Sequence, residues 1–156
     1  MVAAAGGMNM REILFRGKRL DNGEWVEGAY CPKSCDSPFG PMIDKPSIIK
    51  LDDPFSGFRF DVDPSTVGQY TGTDKNGKKI FEGDIVDASE EWWNACGPAG
   101  HDSPIMVVSW NECVSGFDPF ADYDCDCGVY INDSGCKVIG NIHDNPELLE
   151  VADATN

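Results

Sequence analysis

Residues 67–86, VGQYTGTDKNGKKIFEGDIV, constrain the fold of this chain more than any other stretch. Aromatic and β-branched residues such as Tyr70 and Ile80 are typical of half-buried strands. Between them, Asn76-Gly77 strongly predicts a type I′ hairpin turn, because both central residues of that turn need a positive φ. Gly83 then allows the chain to bend from one sheet into the next. The block predicts a small, strongly bent antiparallel barrel.

The rest of the chain also predicts short strands joined by turns and loops. A first hairpin is predicted over residues 10–30, where Asn22-Gly23 joins two apolar runs. Residues 31–64 contain six prolines and predict an irregular loop with brief edge strands. A loop or insertion is predicted over residues 89–104. Further strands are predicted over residues 105–110, 129–131 and 137–142. Asn145-Pro146 then predicts the start of a short helix, because proline is favoured at the first helical position.

Length and composition indicate one folded domain. The chain has 156 residues, 41% of them hydrophobic, and its 17 Gly and 10 Pro favour turns over long helices. No window approaches 18 uninterrupted apolar residues, so no membrane span is predicted. We interpret residues 1–9 as a disordered leader or a cloning remnant, residues 10–150 as a single β domain, and residues 151–156 as a disordered tail.

Charge is concentrated in the second half of the chain. Residues 82–156 hold sixteen acidic residues and one basic residue, Lys137, which gives a net charge of −15, whereas residues 1–50 carry a net +1. A field of that sign repels phosphate backbones and attracts cationic partners. We therefore expect no direct nucleic-acid binding. The same charge also keeps a protein soluble, so the acidic stretch has two interpretations: solubility, or attraction of a cationic protein partner.

The seven cysteines leave a metal site open. Their odd number, without a secretory signal, favours a reducing compartment, and we expect a cytoplasmic protein. The candidate zinc ligands are Cys31, Cys35, Cys125, Cys127 and Cys136. The first pair has three intervening residues, which suits structural zinc, but the second has only one. The alternation of a strand, with the thiols facing a core, explains Cys125 and Cys127 equally well.

The sequence gives less support to two other candidate sites, a calcium loop and a catalytic cysteine. Residues 122–133 partly match a calcium loop, but the sixth position is Cys127 instead of glycine and the bidentate glutamate is missing. A nucleophile set of Cys96, His101 and Asp102 is close in sequence, which is no sign of triad geometry. His143 lies in the turn before the helix, where a solvated or capping side chain is the default. We therefore predict no catalytic, cofactor-binding or metal-binding residue and no cofactor.

Exposed aromatic residues are the more informative group. Trp92-Trp93 lies in a predicted loop, with Trp110, Phe117 and Phe120 further along the chain. Tryptophan and phenylalanine are enriched in the buried centre of protein interfaces. A position in the barrel core explains several of them as well. Both interpretations stay open from the sequence alone.

Three stretches together resemble the YopX family, small proteins of phages and prophages. They are the block at 67–86, the start MREILFRG at 10–17, and the ending VIGNIHDNPELL at 138–149. Residues 105–120 are also similar to the middle strand and loop of the family. The resemblance implies an SH3-like β-barrel core with a further β segment, and it implies no activity. Residues 90–103 and 124–136 depart from the family pattern.

The sequence thus predicts a mainly β protein, an SH3-like bent antiparallel barrel with an additional β segment and a short C-terminal helix. For function we expect a phage or prophage accessory protein in the bacterial cytoplasm that binds an unknown protein partner, self-association being an open alternative. A second hypothesis is an acidic mimic of nucleic acid that blocks a host or defence protein. The third is a cysteine-based enzyme, which the absence of a convincing catalytic set disfavours.

Overall fold

The computed structural model describes residues 13–32, 45–50, 58–89, 104–120 and 135–153. Over these ranges the protein is mainly β. The strands are β1 (Phe15–Lys18), β2 (Trp25–Cys31), β3 (Ser47–Ile49), β4 (Arg59–Asp61), β5 (Gly68–Thr73), β6 (Lys79–Phe81), β7 (Asp84–Asp87), β8 (Ile105–Val107), β9 (Ser109–Asn111), β10 (Gly116–Asp118) and β11 (Lys137–Asn141). A 3₁₀ turn covers Pro64–Thr66, and one α-helix, α1, covers Glu147–Asp153. No described helix is long and apolar enough to cross a membrane.

The described strands form three antiparallel sheets. The largest has the order β4-β3-β2-β1-β5-β6, the second has the order β11-β7-β8, and β9 and β10 form a two-stranded ribbon. An isolated bridge between Arg19 and Val62 brings the chain after β4 back to the end of β1. The sheets are nevertheless open, and no closed barrel is found among the described strands. The mainly β class is confirmed, while the SH3-like barrel stays a prediction.

Both predicted hairpins are confirmed, but their turns differ from the type I′ prediction. β1 pairs with β2, and β5 pairs with β6. Gly23 and Gly77 have φ of 73° and 78°, whereas the preceding Asn22 and Asn76 do not have positive φ. At the second turn the Asp74 carboxylate accepts hydrogen bonds from the backbone N–H groups of Asn76 and Lys78. This side-chain bonding stabilises a turn with a single left-handed residue, the glycine.

The kink predicted at Gly83 is also confirmed. Gly83 has a φ of 84° and lies between β6, in the six-stranded sheet, and β7, in the three-stranded sheet. Its N–H donates to the Val108 carbonyl at 2.8 Å, and its carbonyl accepts from the Ile142 N–H at 3.0 Å. The left-handed conformation is therefore fixed by hydrogen bonds on both sides. Glycine adopts it without steric cost.

Substitution of Gly83 by alanine is expected to destabilise the protein by about 1–2 kcal/mol, because a Cβ atom disfavours the left-handed region. A Cβ atom at this position meets its nearest neighbour at 3.8 Å, so backbone strain and not a clash is responsible. Asparagine tolerates this conformation better, and Gly83→Asn is expected to be less destabilising than Gly83→Ala. Urea denaturation of both variants measures the difference. Equal stability of the alanine variant and the wild type would contradict the role of the kink.

Two apolar cores support the sheets. The first is centred on Val26, Ile48 and Val62, with Phe15, Tyr30, Phe60 and Val67 packed around them. The second contains Ile80, Val86, Ala88, Met106, Val108, Phe117, Cys136 and Val138. Full burial of one valine- or isoleucine-sized side chain contributes about 1.5–3 kcal/mol. The second core joins all three sheets, because Ile80 lies on β6 of the six-stranded sheet, Val86 on β7 of the three-stranded sheet and Phe117 on β10 of the ribbon.

Several other predictions are confirmed or corrected. The strand at 137–142 and the helix are confirmed as β11 and α1, and α1 continues three residues beyond the predicted boundary at 150. The Pro-rich stretch holds short strands as expected, but β3 lies inside the sheet and not at its edge. The single strand at 105–110 is wrong, because β8 and β9 join different sheets on either side of Val108. The strand at 129–131 lies outside the described residues.

Candidate functional site

Arg16 on β1 and Asp84 on β7 join the two larger sheets. The guanidinium Nη2 lies 2.7 Å from Asp84 Oδ1, and the two side chains are 12% and 2% exposed. The guanidinium carbon is 4.4 Å from the Trp25 ring centre and 4.7 Å from that of Phe81. Burial raises the pKa of Asp84 above its ordinary value, although the Arg16 charge opposes this shift. These contacts hold the sheets together and leave the pair little access to a ligand.

Asp144 anchors the C-terminal motif to the first hairpin. Its carboxylate forms an ion pair with Lys18 and accepts hydrogen bonds from Asn141 Nδ2 at 2.9 Å and Trp25 Nε1 at 2.7 Å. Hydrogen bonds from Lys18, Asn141 and Trp25 hold the pKa of Asp144 far below its usual value. The ring of His143 lies 5.9 Å from that of Trp25. The first hairpin and the C-terminal motif therefore meet in one structural cluster.

The structure describes only part of the cysteine constellation. Cys31 is partly buried on β2, and Cys136 is fully buried in the second core. Cys35, Cys125 and Cys127 lie outside the described residues. Among the residues that are described, no group of three or more His, Cys, Asp or Glu side chains is placed to hold a metal ion. The zinc hypothesis is therefore untested.

The remaining sequence candidates fall into two groups. The calcium-like loop at 122–133, the set of Cys96, His101 and Asp102, and Trp92-Trp93 lie outside the described residues. The later aromatics are described and divide between surface and core. Trp110 is 49% exposed, its ring 5.2 Å from the buried Phe117, while Phe120 packs against the second core.

A solvent-exposed apolar surface lies at the outer edge of the six-stranded sheet. We call it the β4 patch and define it by Leu20, Phe58 and Phe60. Leu20 and Phe58 are 53% and 59% exposed, and the rings of Phe58 and Phe60 stack at 6.4 Å. The Arg19 guanidinium carbon lies 4.2 Å from the Phe60 ring centre. Aromatic residues and arginine, as found here, are enriched in protein interfaces relative to the rest of the surface.

The β4 patch borders an open cavity of about 400 Å³. Besides Leu20 and Phe60, the cavity is lined by Asp21, Lys45, Arg59 and Asp61. Arg59 forms an ion pair with Asp61 at 3.4 Å, and Arg19 forms one with Asp21 at 2.5 Å. The patch thus has an apolar centre and a charged rim. This arrangement resembles the anatomy of a protein-binding surface more than that of a closed catalytic pocket.

A second, smaller cavity lies between the 3₁₀ turn, the Gly83 kink and the end of β11. We call it the inter-sheet cleft; its volume is about 200 Å³. Its apolar lining includes Val67 and Ile142, and its polar lining includes Glu82 and His143. The volume is below the range of about 300–1,000 Å³ that is usual for small-molecule sites. The cleft is large enough for a single side chain.

Sequence reasoning missed both surfaces. The Phe58-Arg59-Phe60 alternation, aromatic at every second residue, is a strand signal that the Pro-rich surroundings obscured. The cleft combines residues from four separate stretches of sequence, so no local pattern could reveal it.

Comparison with protein-family models gives a match over most of the chain. The family model described as YopX protein matches residues 14–150 of the chain. A comparison with curated proteins finds no match.

Proposed function

This chain belongs to the YopX family, and from that premise we propose that it is a phage or prophage accessory protein that works in the bacterial cytoplasm by binding another protein. The β4 patch is the observation that carries the proposal. Two large apolar side chains, Leu20 and Phe58, are more than half exposed beside a stacked aromatic partner. A few side chains that become fully buried near the centre of an interface carry most of its binding energy.

The rim of the β4 patch supports the same proposal. Ion pairs such as Arg59–Asp61 fix charged side chains around the apolar centre. Rim charges of this kind orient a partner and exclude wrong ones, while they add little affinity themselves. We further propose that the six-stranded sheet is the SH3-like element of the family, a view that the Arg19–Val62 bridge supports.

A double variant of the β4 patch, Leu20→Ser with Phe58→Ser, is expected to lose at least tenfold in affinity for the partner, because burial of these two side chains is worth more than 1.4 kcal/mol. The measurement starts from immobilised wild-type protein in lysate of the bacterial host. Proteins that it retains are identified by mass spectrometry and then titrated in purified form. Light scattering tests a second copy of the chain as the partner.

Ile13→Ser is the matched control, since Ile13 is 68% exposed and lies at the opposite end of β1 from Leu20. Its binding is expected to equal that of the wild type. Circular dichroism must show that all variants stay folded. A partner that binds the double variant as tightly as the wild type removes the patch from the proposal. A protein that stays monomeric and retains no partner counts against protein binding as a whole.

The charge of residues 82–156 favours a second candidate function, an acidic mimic of nucleic acid that occupies the cationic groove of a host or defence protein. Such binding weakens steeply with salt, as the binding of DNA itself does. We expect a mimic to keep its affinity in the Leu20→Ser/Phe58→Ser variant and to lose it between low and high salt. An interaction through the β4 patch is expected to lose affinity in the double variant and to keep its affinity at high salt. Titrations of the double variant at two salt concentrations therefore separate the two functions.

A further inference from the structure

The inter-sheet cleft has the shape and charge to accept one long basic side chain. Val67 and Ile142 contribute apolar side chains to its lining. A long aliphatic stem gains free energy on such a surface while its charged end stays near water. Ile142 is 37% exposed, so the cleft opens to solvent beside it.

The charged groups around the cleft are mainly acidic. Glu82 contributes to the lining, and no described residue forms an ion pair with its carboxylate. Asp63, which lies next in the chain to the 3₁₀ turn, accepts hydrogen bonds from the Ser65 hydroxyl and N–H at 2.7 and 2.9 Å. Those bonds lower the pKa of Asp63, and it is ionised at neutral pH. None of the described lining residues is a lysine or an arginine.

The floor of the cleft is fixed before any ligand arrives. Gly83 is held by backbone hydrogen bonds to Val108 and from Ile142, so three elements of the lining are tied to one another. His143 Nε2 lies 3.9 Å from the position that a Cβ atom on Gly83 would occupy. A preformed site avoids the entropic cost of ordering loops on binding.

We propose that the inter-sheet cleft binds a lysine or arginine side chain of the protein partner, with the stem against Ile142 and Val67 and the cationic end beside Glu82. This inference rests on the proposed protein-binding function and adds a specificity element to it. The cleft shares no residue with the β4 patch. A partner that uses both surfaces would present an apolar segment to the patch and a basic residue to the cleft.

Titration with N-acetyl-lysine methylamide, followed by amide chemical shifts in NMR spectra, tests the proposal. We expect saturable shifts centred on Gly83, Val108 and Ile142 with a dissociation constant of about 1–10 mM, as befits one side chain. N-acetyl-norleucine methylamide, which has the stem without the charge, is expected to bind at least tenfold more weakly. The Glu82→Gln variant is expected to weaken lysine-probe binding by about tenfold, which corresponds to about 1.4 kcal/mol.

Glu147→Gln is the matched control, because Glu147 is an exposed acid on α1 that does not line the cleft. Equal weakening in both variants would mean diffuse attraction to an acidic surface and would overturn the proposal. Equal binding of the norleucine probe would overturn the role of charge, and the absence of shifts would overturn the site. These outcomes are independent of partner capture through the β4 patch. If the lysine probe does not bind but a partner is captured, the cleft proposal alone is rejected. If the probe binds but no partner is captured, the proposed function alone is rejected.

Discussion

Replacement of Arg16 by methionine is expected to lower the free energy of unfolding by about 3–5 kcal/mol, because it leaves the Asp84 carboxylate buried without its counter-charge. The Asp84 side chain is only 2% exposed, so water cannot replace the guanidinium. The arginine also packs between the rings of Trp25 and Phe81, and that packing is lost as well. A domain of this size has a total stability of about 5–15 kcal/mol. Urea denaturation of purified protein measures the loss.

Two further variants identify the buried charge as the cause. Arg16→Met combined with Asp84→Asn removes both charges and is expected to recover part of the stability of the single variant. Lys79→Met breaks the exposed ion pair with Glu27 and is expected to cost less than about 1 kcal/mol. An Arg16→Met variant as stable as Lys79→Met would contradict the argument.

The pH dependence of the Arg16→Met deficit has a definite sign. Burial already raises the pKa of Asp84 in the folded wild type, and loss of Arg16 raises it further. A group with a raised folded pKa favours folding at low pH and loses that contribution as pH rises through the folded pKa. The deficit relative to the wild type is therefore expected to be small near pH 4 and to grow toward neutral pH.

The elements that the sequence predicts correctly are those set by neighbouring residues. Gly23, Gly77 and Gly83 punctuate the chain where only glycine adopts a left-handed backbone easily, and Pro146 marks the start of α1. The turn type was wrong because the carboxylate of Asp74, two residues earlier, stabilises a different backbone path than the Asn-Gly dipeptide alone predicts. Local signals thus locate the turns, while side-chain hydrogen bonds decide their geometry.

Contacts between residues that are far apart in the sequence could not be predicted from local sequence patterns. Arg16 and Asp84 are 68 residues apart, and nothing in either local sequence indicates that they meet. The same holds for Trp25 and Asp144, which are 119 residues apart. The β4 patch depends on which faces of Phe58 and Phe60 are covered, a property of the assembled sheet. Sequence reasoning offered an aromatic interface at Trp92-Trp93 as one of two interpretations, and that prediction lies outside the described residues.

Substitution of Asp74 by alanine is expected to destabilise the protein by about 2–3 kcal/mol, because one buried carboxylate satisfies three backbone donors. Asp74 is 4% exposed, and its Oδ1 accepts from the N–H groups of Asn76 at 2.8 Å and Lys78 at 2.9 Å. Its Oδ2 accepts from the N–H of Val138 on β11 at 3.1 Å. Water can solvate the turn amides in the variant, but the Val138 amide is buried and costs about 1–3 kcal/mol when left without a partner.

The dependence of stability on pH below about 4 distinguishes the hydrogen bonding of ionised Asp74 from a simple loss of packing. Burial opposes ionisation of Asp74, but the bonds from Val138, Lys78 and Asn76 outweigh it and lower the pKa below its ordinary value. A carboxylate with a depressed folded pKa stabilises the fold above its unfolded pKa, near 3.9, and loses that contribution as pH falls through the folded pKa. The stability of Asp74→Ala is therefore expected to fall less steeply below pH 4 than that of the wild type.

Asp63→Ala serves as the matched control, because among the described residues the Asp63 carboxylate accepts hydrogen bonds from Ser65 alone. A loss of stability in Asp74→Ala no larger than in this control, with an unchanged pH dependence of stability, would show that the link between the hairpin turn and β11 is dispensable.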